Sequence, residues 1–521
     1  MKVGRAIWLS AATMASRVLG LLRDQIFAIL IGANRYSDAF VVAFRIPNLL
    51  RDLFAEGALS SAFVPTFADV RRNRGEAEAR RLAGTVTGLV LVVVGGLVLA
   101  GVLLAGPLVR AIAPGLGEAT LLATGLTRVM MPFLLLVSLA ALAMGILNAQ
   151  GRFTAPALAP ALFNVGSIAV GLGMWAAGWP PERAVVGWAV GTLLGGLLQL
   201  LAQLPSLRAA GGLPVPGFTR ARLADPGLRR IGRLMAASVV GLSATQVNIL
   251  VNTIFASHQE GAVTWLNMAF RLMQLPLGVF GVAIATVAGA GVAQAAAARD
   301  LPEVKRTLGS ALRLVAFLNV PSAVGLAVVA GPIVSLVYQH GRFSAASAAA
   351  TGQALACYAL GLYAYSAVKV MAPAFYALDQ ARVPVLGSVL GMVANVALNV
   401  TLWPVLGFRG VALGTSLAAG VNLAVLLFAW RRTHGGLGGS GLLRQLGQVV
   451  AASAVLAAAA FGASAWLEGA LPGPGLWRQA VRGLGPVLVG AAVYFGVARL
   501  LRIPELDELR ATLRRRRVPA A

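Results

Sequence analysis

Long apolar runs, separated by short polar connections, fill almost the whole chain. The run from Leu82 to Val109 holds no charged residue, and about 20 apolar residues suffice to cross a bilayer. Charge and Gly/Pro punctuation mark about fourteen such runs. They begin at 6–33 and 37–66 and end at 445–467 and 479–500. Barrel strands would show shorter segments with strict alternation, so the runs predict helices. The expected fold is an all-α polytopic membrane protein.

A faint repeat divides these spans. VAFRIPNLL (Val42–Leu50) echoes MAFRLMQLP (Met268–Pro276), setting Arg45 against Arg271. LNAQGRFTAP (Leu147–Pro156) echoes ALDQARVPV (Ala377–Val385), and the stretch from Arg183 echoes that from Arg409. The three matches keep one order at an offset of 226 to 230 residues. Six spans in each half is an even number, so the halves share one orientation, with a pseudo-two-fold along the membrane normal. The predicted layout is an N-terminal lobe over 1–207, a cytoplasmic linker over 208–233 and a C-terminal lobe over 234–433. Two extra spans follow over 434–502, then a cytoplasmic tail over 503–521.

Charge sharpens the picture. Hydrophobic residues make up 58% and charged residues 12%, yet the formal net charge is +25. Alternating the connections from a cytoplasmic N-terminus puts 29 of the 43 Lys and Arg inside, 8 outside and 6 within spans. This asymmetry is the positive-inside pattern, with both termini cytoplasmic. The clusters Arg71–Arg74, Arg220–Arg233 and Arg514–Arg517 are thus topology signals and anionic-lipid contacts, not a nucleic-acid surface. Arg17 and Arg23 interrupt the first apolar stretch and no cleavage site follows, so the first helix is retained.

Six cations lie inside spans: Arg17, Arg23, Arg45, Arg51, Arg271 and Lys369. Each costs roughly 3 kcal/mol or more at membrane depth, so such residues usually face a cavity and act on something. Arginine stays protonated and offers a planar fork suited to phosphate. A cationic pocket in the membrane implies an anionic ligand there. Arg17 and Arg23 are six residues apart and share a face only if the helix bends, for which Gly20 lies between them; Arg45 and Arg51 repeat that spacing around Pro47, so each pair is expected to flank a helix irregularity. The competing reading pairs these arginines with Asp24, Asp52 and Glu56 as interhelical ion bridges, or lets them snorkel to an interface. Enzyme signatures are scarce. His258, His340 and His434 are far apart, Cys357 is the single cysteine, and no P-loop occurs. Neither a metal, a cofactor nor catalysis is expected.

The segment SRVLGLLRDQIFAILIGANRYSDAFVVAFRIPNLLRDLFAEGALSSAFVPTF (Ser16–Phe67) strongly resembles the opening of the MurJ (MviN) lipid II flippases. NAQGRFTAPALAP (Asn148–Pro160), FRLMQLPLGVFGVAIATV (Phe270–Val287) and VKVMAPAFYALDQARVPV (Val368–Val385) extend the resemblance along the chain. It implies the multidrug/oligosaccharidyl-lipid/polysaccharide exporter superfamily: a V-shaped pair of six-helix lobes, a central cationic cavity, and a lipid-tail groove at the last two helices. The implied substrate is lipid II, a polyprenyl pyrophosphate glycolipid, in the cell membrane, with membrane lipids and cell-wall synthases as neighbours. Another polyprenyl-pyrophosphate-linked oligosaccharide is the alternative cargo. By the same resemblance Arg17, Arg23, Arg51 and Arg271 bind the head group and Asp24 partners them, while Asp38, Arg45 and Lys369 gate or support. Departures are Phe270 where many relatives have Asp, Gln274 where some have Glu, and Val383 where Thr is common. Asp379 stands one position earlier than the acid of relatives, some of which bind sodium in this region, and the shift argues against such a site here.

Overall fold

The computed structural model describes residues 3–53, 59–437, 441–473 and 475–508. Glu56 and Arg514–Arg517 lie outside the described residues. Every regular element among the described residues is helical. The chain forms two compact units: Met1–Thr264 with His340–Phe343, and Trp265–Gln339 with Ser344–Ala521.

In the first unit, α1 (Val3–Ile31) leads into α2 (Arg35–Leu50) through a three-residue turn. Asn34 organises that turn. Its side-chain oxygen accepts from Tyr36 and Ser37 N–H, and Ser37 Oγ accepts from Asn34 N–H at 2.9 Å. This capping box is worth about 1 kcal/mol and starts α2. α3 (Ser60–Arg74), α4 (Glu76–Leu89), α5 (Gly95–Leu103) and α6 (Ala105–Ile112) follow, a π turn (Val90–Val94) joining α4 to α5. Then come α7 (Ala119–Met130), α8 (Pro132–Ala149), α9 (Thr154–Ala176) and α10 (Pro181–Leu201). Two short helices, α11 (Leu204–Arg208) and α12 (Arg220–Leu223), precede α13 (Pro226–Ala256). α1 packs on α9, α9 on α10, α2 on α7, and α3 on α4, α8 and α13. Phe63, Phe67, Leu82, Leu134 and Leu147 fill the α3–α4–α8 core.

α14 (Ala262–Pro276) starts within the first unit and runs into the second. It widens into π geometry over Leu277–Val282 and continues as α15 (Ala283–Ala297). α16 (Leu301–Val328), α17 (Ala330–Tyr338), α18 (Ala345–Ala359), α19 (Leu362–Ala377), α20 (Arg382–Leu406) and α21 (Phe408–His434) complete the body of this unit. Leu308, Leu312, Met371, Phe375 and Trp430 form its core. α22 (Leu442–Ala470) and α23 (Leu476–Leu500) pack on each other and join α16 through Phe317, Leu456 and Tyr494. The Tyr494 hydroxyl donates to Phe317 O at 2.7 Å, and the Glu505 carboxylate, 3% exposed, accepts from Arg313 Nε at 3.0 Å. The last two helices are thereby fixed to α16.

Among the described residues, 10 helices are long and apolar enough to cross a membrane, or 11 if α18 and α19, bent by 42°, form one span. α1, α2 and α13 are not among them. α2 reaches only 16 residues before its helix changes character.

Candidate functional site

α1 is one uninterrupted helix, so Gly20 does not break it. Instead Gly20 leaves room for Asn164 of α9, whose Nδ2 donates to Ser16 O at 3.1 Å. Six residues of helix rotate by 240° and rise by about 9 Å, which sets Arg17 and Arg23 on different faces. Arg17 is exposed, whereas the Arg23 side chain is only 13% exposed. Arg23 donates from Nε and Nη2 to Asp24 Oδ1, at 3.3 and 3.0 Å, and its guanidinium stacks 5.3 Å from the Phe163 ring. A planar cation held by a carboxylate and an aromatic face has a fixed direction.

The same chelate recurs at the end of α2. Arg51 donates from Nε and Nη2 to Asp52 Oδ1 at 3.2 and 2.9 Å, and Asp52 Oδ2 accepts from Gln246 of α13 at 3.4 Å. α2 runs unbroken through Pro47 and the π turn over 51–53 begins at Arg51 itself, so the irregularity does not lie between Arg45 and Arg51. π turns are rare and frequent at functional sites. Arg45, one and a half turns earlier, is half-buried. Two Arg–Asp dipeptides on α1 and α2 thus hold two guanidinium groups in place by sequence-adjacent carboxylates.

Asp38 sits near the other end of α2 and is buried, at 2% exposure. Its carboxylate accepts from Gly261 N–H at 2.6 Å, Thr264 N–H at 2.9 Å and Thr264 Oγ1–H at 2.6 Å. A negative charge placed on the first N–H groups of α14 meets the positive end of that helix's dipole. Asp38 is therefore an N-cap supplied from 223 residues away. Sequence reading singled out Asp38 but not Gly261 or Thr264, because no local pattern joins them.

The second unit carries Arg271 and Lys369. Arg271, on α14, is half-buried and directs Nε toward Asn267 Oδ1 at 3.5 Å. Lys369 on α19 is exposed. Phe270 packs edge-on against Tyr358 and Tyr365 at 5.3 and 6.5 Å. Asp379 is exposed and adopts a positive φ of 59° in the turn after α19. Among the described residues no group of His, Cys, Asp and Glu is arranged to hold a metal ion.

The family model described as lipid II flippase MurJ matches residues 27–472. The chain belongs to the lipid II flippase MurJ family. The lipid II flippase MurJ of Burkholderia cenocepacia is 36% identical over 454 residues, covering 86% of this chain and 87% of its own. A probable lipid II flippase MurJ of Rhizobium meliloti is 36% identical over 513 residues, covering 97% and 95%. The fold resembles that of a lipid II flippase MurJ in an inward closed conformation, with a TM-score of 0.77 and 24% identity over 95% of this chain and 98% of that one. An inward-facing multidrug resistance MATE family transporter of the MOP superfamily gives 0.67 at 19% identity, over 80% and 94%. The MurJ resemblance read from Ser16–Phe67 therefore holds across nearly the whole length. The half-buried Phe163 and the buried Asn164 and Gln246 were not foreseen, although a lone Asn in an apolar stretch was an available signal.

Proposed function

We propose that this protein carries lipid II from the cytoplasmic to the outer leaflet of the cell membrane by alternating access. Membership of the MurJ family, with two fixed Arg–Asp pairs on α1 and α2, is the observation that supports this reading most. Guanidinium forks pre-oriented by neighbouring carboxylates lose little freedom on meeting a pyrophosphate. The same carboxylates moderate the attraction, so the anion is held yet released. Arg17, Arg23, Asp24, Arg51 and Arg271 bind the head group, and Asp38, Arg45 and Lys369 support or gate.

α1, α2 with α3, and α13 supply the three further spans that raise 11 to fourteen. Two lobes of six spans, 1–207 and 234–433, are joined by the linker 208–233. A structural parallel supports the duplication: the π turn after α2 begins at residue 51 and that after α14 at 277, an offset of 226 that matches the sequence repeat. Both termini face the cytoplasm, where the basic connections meet anionic lipids. The last two helices serve the polyprenyl tail, consistent with the outward-facing Phe461, Trp466, Leu484 and Leu488. The activity is transport, with cell-wall synthases as neighbours.

Complementation tests the function. Expression of the whole chain should restore growth and rod or coccoid shape in a strain depleted of its own lipid II flippase. Continued lysis, with the protein present in the membrane, would refute the assignment.

A further inference from the structure

We propose that the notch between α6 and α7 binds the phosphate of an anionic phospholipid, held by Arg110 and Arg128. That this lipid belongs to the outer leaflet rests on the proposed topology; that the notch takes a lipid phosphate does not.

The internal repeat shows what is particular about this notch. AGPLVRAI (Ala105–Ile112) of α6 returns as AGPIVSLV (Ala330–Val337) of α17, and Ala123–Gly125 of α7 returns as Ala350–Gly352 of α18. Each copy follows a residue that leaves helical geometry, Leu104 at φ −93°, ψ 12° and Val329 at φ −101°, ψ 17°. In the second copy the glycines serve packing. A Cβ on Gly352 would stand 3.1 Å from Gly331 Cα, so α17 and α18 meet backbone to backbone. In the first copy the equivalent Gly125 has nothing within 4 Å of that point. Residue type changes here too. Arg110 stands where α17 has Ser335, and Arg128 where α18 has the fully buried Leu355.

Both arginines are on the exposed side of their helices. Leu121, Gly125 and Arg128 are exposed and form one stripe of α7, while Ala123, Leu126, Thr127 and Met130 on its other side are buried. Arg110 is exposed as well, and its Nη2 folds back to 3.6 Å from where a Cβ on Gly106 would stand. The Thr124 methyl is 3.8 Å from that same point, and Thr124 is one turn from Arg128. Two guanidinium groups thus flank one gap. Among the described residues no carboxylate balances them: Glu118 is the only acid between Glu78 and Glu182, and it pairs with Arg35 at 3.3 Å.

Depth decides the ligand. α7 and α8 form one apolar stretch, Ala119–Ala149, long enough to cross a membrane. Polar residues resume at Asn148, and Leu147 lies 19 residues after Arg128, about 28 Å of helix. The hydrocarbon layer is about 30 Å thick, so Arg128 stands at the level of the lipid phosphates on the far side. Leu99, Leu103, Leu104 and Leu121 beside the notch are all more than half exposed, a rim that suits acyl chains. A soluble anion would leave that rim in water, whereas a phospholipid covers the rim and the cationic gap together. The guanidinium fork matches two oxygens of a phosphate diester. Arginines at a membrane surface favour anionic lipid, and two together favour it about tenfold.

The test places an environment-sensitive fluorophore on Leu121→Cys of the full-length Cys357→Ala protein in liposomes. Phosphatidylglycerol with a nitroxide high on its acyl chain is compared, as quencher, with equally labelled phosphatidylcholine at the same mole fraction. Phosphatidylglycerol should associate about tenfold more favourably, and added salt should shrink the difference. Arg128→Gln should lower the preference, and Arg110→Gln with Arg128→Gln should bring the two lipids level. Should the double variant fail to fold, Arg128→Gln alone carries the test. Equal quenching by both lipids in the parent protein, or a preference that survives loss of the arginines, would overturn the site. A preference erased by a trace of unlabelled polyprenyl pyrophosphate would assign the notch to that pyrophosphate and overturn the phospholipid. None of these readouts measures flipping, so their failure is distinct from a failure of lipid II transport.

Discussion

Arg271→Ala should abolish complementation of a flippase-depleted strain while the protein stays in the membrane at near-normal amounts. Arg23→Ala should do the same. The two arginines belong to different units of the chain, and each is proposed to hold the same pyrophosphate. A charge-assisted hydrogen bond is worth about 1.5–3 kcal/mol, so losing one lowers transport by about 10- to 100-fold. Lysine at either position restores charge without the planar fork and should rescue only in part. Arg23 gives the sharper result, because its direction is fixed by Asp24 and Phe163. Asp24→Asn should therefore weaken transport while leaving the cation in place. Normal growth with Arg271→Ala would remove the second unit from the binding site.

The second large effect is expected at Asp38, and it is one of stability. Asp38→Ala leaves the N–H groups of Gly261 and Thr264 buried without their acceptor, while the Thr264 hydroxyl keeps Ser37 Oγ at 2.9 Å. Each buried donor left unmet costs about 1–3 kcal/mol, and relaxation recovers part, so a net loss of about 2–4 kcal/mol is predicted. Thermal unfolding of the purified protein in detergent should show a clear fall in midpoint. Asp38→Asn keeps one acceptor but turns an amide N–H₂ toward a backbone donor, so its midpoint should lie between. Because Arg271 is two turns along α14 from Thr264, flipping should fall with both variants. A midpoint unchanged in Asp38→Ala would show that the cap is not what holds the start of α14.

Much of the fold was readable because membrane helices announce themselves. Uninterrupted apolar runs have one stable form in lipid, and the resemblance over Ser16–Phe67 identified the family by itself. Arg23, Asp24 and Arg51 were also readable, since a charge inside such a run stands out and the partnering acid is the next residue. The remainder depended on contacts between distant segments. Gly261 and Thr264 look like an ordinary turn and helix start, and their role appears only once Asp38 is beside them. Gly20 shows the opposite error: a glycine between two arginines suggests a bend, but here its small size admits Asn164. A sequence states which residues are small or charged; it does not state what approaches them.

Transport itself is the central claim, and reconstitution tests it most directly. Purified protein in liposomes carrying labelled lipid II should make the inner-leaflet label accessible to an impermeant quencher. The rate should exceed that of protein-free liposomes, and Arg23→Ala should bring it near that background. A rate no greater than background for the intact protein, or one equal for an uncharged polyprenyl alcohol, would contradict the account.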